Sequence, residues 1–87
     1  MKENETRILG ISISDRVKKV GEVQNVLTKF GCSIKTRLGL HEVVDDECSL
    51  NGTIILELSG DMEECIKLEN ELLKIEGLDV QKMVFRK

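Results

Sequence analysis

Eighty-seven residues with 13 basic and 16 acidic side chains, a net charge of −3, no tryptophan, no tyrosine and two phenylalanines bound what this chain can be. The length corresponds to one domain over residues 1–87, small enough to gain from a partner subunit. An acidic total with almost no stacking platforms argues against direct nucleic-acid binding, and no apolar run approaches the roughly 20 residues of a membrane span.

The segment Met1 to Arg7 is polar and mixed in charge, without the apolar core of a secretion signal, so a cytoplasmic location is expected. Cys32, Cys48 and Cys65 are odd in number and lack CxxC spacing, which fits reduced thiols better than a disulfide framework or a closed zinc site. Charge segregates along the chain. Glu42 to Glu76 holds eleven acidic residues against Lys67 and Lys74, and the remainder is net basic.

From Arg7 to Ser14, Leu9, Ile11 and Ile13 alternate with Ile8, Gly10 and Ser12, the period of two that a strand requires. From Val17 the apolar residues Val17, Val20, Val23, Leu27 and Phe30 fall three or four apart, a single stripe on a helix. Asp15 is placed to cap that helix and Gly31 to end it. Alternation resumes with Cys32, Ile34, Thr36, Leu38 and Leu40 against Ser33, Lys35, Arg37, Gly39 and His41, predicting a second strand with Cys32 on its buried side. Residues 43–52 form a polar connection that closes on Asn51 and Gly52, a pair suited to positive φ.

A shift of 45 residues maps Leu9, Ile11 and Ile13 onto Ile54, Leu56 and Leu58, and the helical stripe onto Met62, Cys65, Leu68, Leu72 and Ile75. One further residue before Gly77 then aligns Gly31 with Gly77 and Ile34 with Val80. Strand, helix and strand therefore occur twice. Two such units joined by a hairpin predict an α+β, ferredoxin-like βαββαβ sandwich, a four-stranded antiparallel sheet with both helices on one face. The first and third strands are central, while Lys35, Arg37, Lys82 and Arg86 suit solvent-facing edges. Lys82 shares the parity of the helix-facing residues and is read as snorkelling to water.

The open face of that sheet carries apolar residues, and Ile8, Ile55, Met83 and Phe85 are read as an oligomer contact. Met62, Ile66 and Leu73 make a second ridge on helix two, read as widening its core contact. Glu63, Glu64 and Glu71 face solvent, and Glu69, at the core border, is expected to reach out to water. His41 is the one imidazole, and with Glu42, Asp45, Asp46 and Cys48 it has no recognised ligand spacing, so no metal and no cofactor are predicted. Cys48 is the thiol expected to react, and Cys32 and Cys65 fall at packing positions. Gly10, Arg37, Gly39 and His41 form the candidate ligand site, in which small residues and an arginine fork would admit an anionic metabolite at a subunit junction. The competing reading pairs Arg37 with Glu57 and leaves Gly39 to bend the edge. No nucleophile stands beside a base and no phosphate loop is present, so a catalytic role is not expected.

The segments RILGISISDR (Arg7 to Arg16) and RLGLHE (Arg37 to Glu42), together with GLDV (Gly77 to Val80), carry a resemblance. Over essentially all 87 residues the chain resembles the regulators of the iron-only hydrogenase system, small ACT-like proteins also similar to the C-terminal domain of nickel-responsive regulators. The resemblance implies a ferredoxin-like fold, a homo-oligomer (dimer or tetramer) and a regulatory role in hydrogenase maturation or expression, with a regulatory protein as an alternative partner to a metabolite. Nickel regulators hold metal through several histidines and a cysteine, whereas this chain offers His41 alone. Their separate DNA-reading domain is not expected here either, for want of residues. The Ser14-Asp15-Arg16 turn lacks the glycine frequent in amino-acid-binding ACT domains. The alternatives are a metal or redox sensor using His41 and Cys48, and a small enzyme with a site shared between subunits.

Overall fold

The computed structural model describes residues 5–14, 17, 19–41 and 52–86. In chain order they form β1 (Glu5–Ile13), α1 (Val20–Lys29), a 3-10 turn (Gly31–Ser33), β2 (Ile34–His41), β3 (Gly52–Leu58), α2 (Met62–Leu73) and β4 (Asp79–Arg86). The strands pair antiparallel in the order β2-β3-β1-β4, which places the two most apolar strands in the middle. This is the ferredoxin-like sandwich that the internal repeat predicts.

One core lies between sheet and helices. Leu9 and Ile11 of β1 and Leu56 and Leu58 of β3 meet Val23, Val26 and Leu27 of α1 and Cys65, Leu68 and Leu72 of α2. The large side chains removed from water altogether are Leu9, Ile11, Leu27, Leu56, Leu68 and Leu72, each contributing roughly 1.5 to 3 kcal/mol of burial. The repeat is physical as well as textual: Leu27 and Leu72 occupy equivalent helical positions and both are buried.

The helix ends differ in ways the repeat does not show. Asp61 caps α2, its carboxylate accepting the Glu63 N–H at 2.9 Å. In α1 the first helical residue is Val20, not Val17, and Lys19 precedes it without a side-chain cap bond. Asp15, the expected cap, lies outside the described residues. Val17 is still buried, its N–H bonded to the Ser14 carbonyl at 3.1 Å, so the stripe begins in a turn before the helix does. Gly31 does not end α1 through a left-handed residue. The Phe30 carbonyl accepts the Ser33 N–H at 2.9 Å, the chain tightens into a 3-10 turn, and positive φ appears instead at Gly60 (88°) and Gly77 (83°).

That turn and the start of β2 overturn the expected parity of the second strand. Cys32, expected in the core, is exposed, and Ser33 is buried in its place. Ile34 then opposes Leu58 while Thr36 opposes Glu57, so Lys35 is an extra residue in a β-bulge. One inserted residue exchanges the two faces for the rest of the strand. Arg37 comes to lie opposite the buried Leu56, and Leu38 opposite Ile55 on the open face. The second ridge of α2 also divides: Met62 packs against the core, but Ile66 and Leu73 are exposed. Among the described residues no helix is long and apolar enough to cross a membrane.

Candidate functional site

The open face is built in rows across the sheet. Met83, Ile8 and Glu57 form one row, with Thr36 beyond; Gln81, Gly10, Ile55 and Leu38 form the next. Leu38 is 53% exposed, Met83 54% and Phe85 54%, although a monomeric sheet gains by presenting polar groups there. Ile8 and Ile55 lie between them, half-buried. At the centre, Gly10 floors a shallow depression of about 270 Å³ lined by Ile8, Ile55, Gln81, Lys82 and Met83. A Cβ on Gly10 would come 4.0 Å from Ile55 Cδ1, an ordinary contact, so the glycine adds concavity without being forced by crowding.

The four expected interface residues Ile8, Ile55, Met83 and Phe85 therefore share a face, and the bulge adds Leu38 to them. Three of the four expected ligand residues do not share a face within one chain. Gly10 is on the open face opposite Ile55, whereas Arg37 and Gly39 oppose Leu56 and Ile54 on the helix side. Arg37 does not reach Glu57; it donates to Gln24 Oε1 of α1 at 2.8 Å. Glu57 instead accepts the Thr36 hydroxyl at 3.1 Å and lies 3.9 Å from Lys35 Nζ. His41 closes β2, its backbone opposite Gly52. Cys48, with Glu42, Asp45 and Asp46, lies outside the described residues. No group of three potential metal ligands occurs among the described residues.

A charge cluster that the sequence did not reveal lies under α2. Glu69 does not reach out to water: it is buried, accepting from Arg7 Nη1 at 2.9 Å and lying 3.2 Å from Lys82 Nζ. Lys82 faces the helices as its parity predicts, but it meets this carboxylate instead of simply snorkelling. Arg7 also donates from Nη2 to Glu5 at 2.7 Å, while its buried Nε has no partner among the described residues. Burial opposes the Arg7 charge, but the hydrogen bond and charge of Glu5, followed by those of Glu69, outweigh it and raise the guanidinium pKa above its ordinary value. The signal was there to find, since Arg7 and Lys82 share the helix-facing parity of their strands and Glu69 borders the helical core stripe.

Cys65 is buried as expected and directs its thiol at the Ser59 carbonyl, 3.5 Å away. Of the described thiols, Cys32 is the exposed one.

No family model and no curated protein matches this sequence. Among solved structures it is similar to an uncharacterized protein from Thermotoga maritima, 27% identical with a TM-score of 0.73 over 92% of this chain and 96% of that one. A PII-like signalling candidate from Thermus thermophilus is 10% identical with a TM-score of 0.55, covering 97% of this chain and 89% of its own. A de novo designed protein superposes at 0.53 with 16% identity, over 98% and 99% of the two chains. The last two likenesses establish the shared fold and nothing more. A designed chain wearing this fold shows why function has to be argued from surfaces.

Proposed function

We propose that this chain is a non-catalytic regulatory module that works as a homo-oligomer, with the open face of its sheet buried against another copy. The observation that carries the reading is the row system of that face, where Leu38, Met83 and Phe85 are more than half exposed around Ile8 and Ile55. Burying such side chains contributes roughly 1.5 to 3 kcal/mol each before association costs, enough to matter for a domain of this size. The specific setting we propose is the iron-only hydrogenase system. It rests on the RILGISISDR, RLGLHE and GLDV segments, and a role in regulation is in keeping with the PII-like signalling candidate of the same fold.

Two tests separate the coarse reading from the fine one. Leu38→Glu, placed on the open face away from β1 and β4, is expected to lower the solution mass, while Asn25→Glu on exposed α1 leaves it unchanged. Equal masses for both variants would remove the open-face contact. In a host that makes an iron-only hydrogenase, loss of this protein is expected to change the amount of matured hydrogenase. An unchanged level would remove the hydrogenase setting while leaving the oligomer in place.

A further inference from the structure

Charge divides between the two faces of the sheet. Arg7, Arg37, Lys82 and Arg86 all take helix-side positions in the ladder, where Arg7 and Lys82 meet Glu69 and Arg37 donates to Gln24. The open face holds Glu57 opposite Ile8 and Asp79 opposite Ser12. Lys35, the described cation nearest to it, lies 3.9 Å from the Glu57 carboxylate. Among the described residues, an anion entering this face would meet carboxylates and no arginine.

The depression over Gly10 is the apolar centre of that acidic face. Ile8, Ile55 and Met83 wall it, and Lys82 borders it while its ammonium lies on the other face, 3.2 Å from Glu69. The polar side chain on the rim is Gln81, whose Nε2 donates to Asp79 at 3.0 Å and leaves the amide oxygen as an acceptor. Across the ladder Glu57 stands about 5 Å from Ile8, and along β4 Asp79 stands about 7 Å from Gln81. Both distances are inside the screening length of about 8 Å at physiological salt, so both carboxylates act on a charge held at the rim.

Glycine at the floor has no other cause in the fold. Its φ is not positive, and a Cβ there would meet only Ile55 Cδ1 at 4.0 Å, so neither backbone nor crowding demands it. A glycine weakens the interior of a strand, and what it supplies in return is the concavity. We infer that this depression binds a small apolar amine. The hydrocarbon rests on Ile8, Ile55 and Met83 above Gly10, and the ammonium donates to the Gln81 amide oxygen in the field of Glu57 and Asp79. A volume of about 270 Å³ is near the lower bound of ligand sites and suits a molecule of about six to eight non-hydrogen atoms. A second copy stacked on the open face would roof the site and exclude water, and the inference rests on the proposed oligomer for that roof alone.

The test titrates the full chain with isoamylamine, isoamyl alcohol and isovalerate, which share one hydrocarbon and differ in the head group, at neutral pH and constant ionic strength. The amine is expected to shift the Gly10 amide and the Ile8 and Ile55 methyl resonances saturably, and isovalerate to bind at least about tenfold more weakly, with the alcohol between them. Gly10→Ala is expected to weaken amine binding and Gly10→Leu to abolish it. The double variant Glu57→Gln with Asp79→Asn keeps the shape of the site and is expected to erase the preference for amine over carboxylate, which a purely structural role for those residues would leave in place. No saturable shift in the wild type, isovalerate binding as tightly as the amine, or a preference that survives the double variant would each overturn the inference. Light scattering on the same samples separates it from the stacking of copies. An oligomer that takes none of the probes keeps the stacking and removes the site, whereas a monomer that takes the amine keeps the site and removes its roof.

Discussion

A carboxylate on the inner flank of α2 needs cations, and Glu69 has two. Among the described residues, removing it leaves Arg7 held by Glu5 alone, with one guanidinium nitrogen already unpartnered. Breaking such a pair on one side typically costs about 3 kcal/mol, whereas replacing both partners with apolar groups often costs little. Glu69→Ala is therefore expected to lower the urea midpoint more than the double variant Arg7→Leu with Glu69→Leu. Equal losses would mean that the cluster is mere surface pairing. The Arg7 pKa is raised, so its contribution is fully present below the unfolded value and is lost only as pH climbs through the still higher folded one. The stability difference between wild type and Arg7→Leu should accordingly stay flat through the neutral range in chemical denaturation. Thiols give a simpler check at this scale. Cys32 is exposed and Cys65 buried, so mass spectrometry after brief labelling of native protein should find Cys32 modified and Cys65 protected.

At the scale of elements, order and type were legible because apolar spacing changes from two to three or four and back, twice, in Leu9 to Ile34 and again in Ile54 to Val80. Local backbone geometry was not. The bulge at Lys35 leaves no mark in an alternating string, since Lys35-Thr36-Arg37-Leu38 reads equally well in either parity, and it moved Arg37 away from Gly10 and Leu38 toward Ile55. For that reason Arg37 and Gly39 lie on the other face of the sheet from Gly10, while the interface set on β1, β3 and β4 kept its parity and its common face. The two helix-ending glycines were aligned by the repeat, but only Gly77 takes positive φ. Gly77→Ala should cost about 1 kcal/mol through left-handed strain, while Gly31→Ala, whose Cβ would meet nothing within 4 Å, should stay within about 0.5 kcal/mol of wild type in a thermal melt. Equal effects would contradict the assigned turn geometry.

For the whole molecule, a small core closes between the helices and one face of the sheet, and among the described residues the other face leaves Leu38, Met83 and Phe85 exposed. Composition fits this economy, because an 87-residue chain buries a modest share of its surface and gains further burial by association. A regulator built this way would signal through its assembly, so the oligomer is the claim on which the rest depends. The most direct measurement is the solution mass of the wild-type protein by light scattering at micromolar concentration. An oligomer, two or four times the 9.8 kDa of one chain, is the predicted result, and a 9.8 kDa particle would contradict the account.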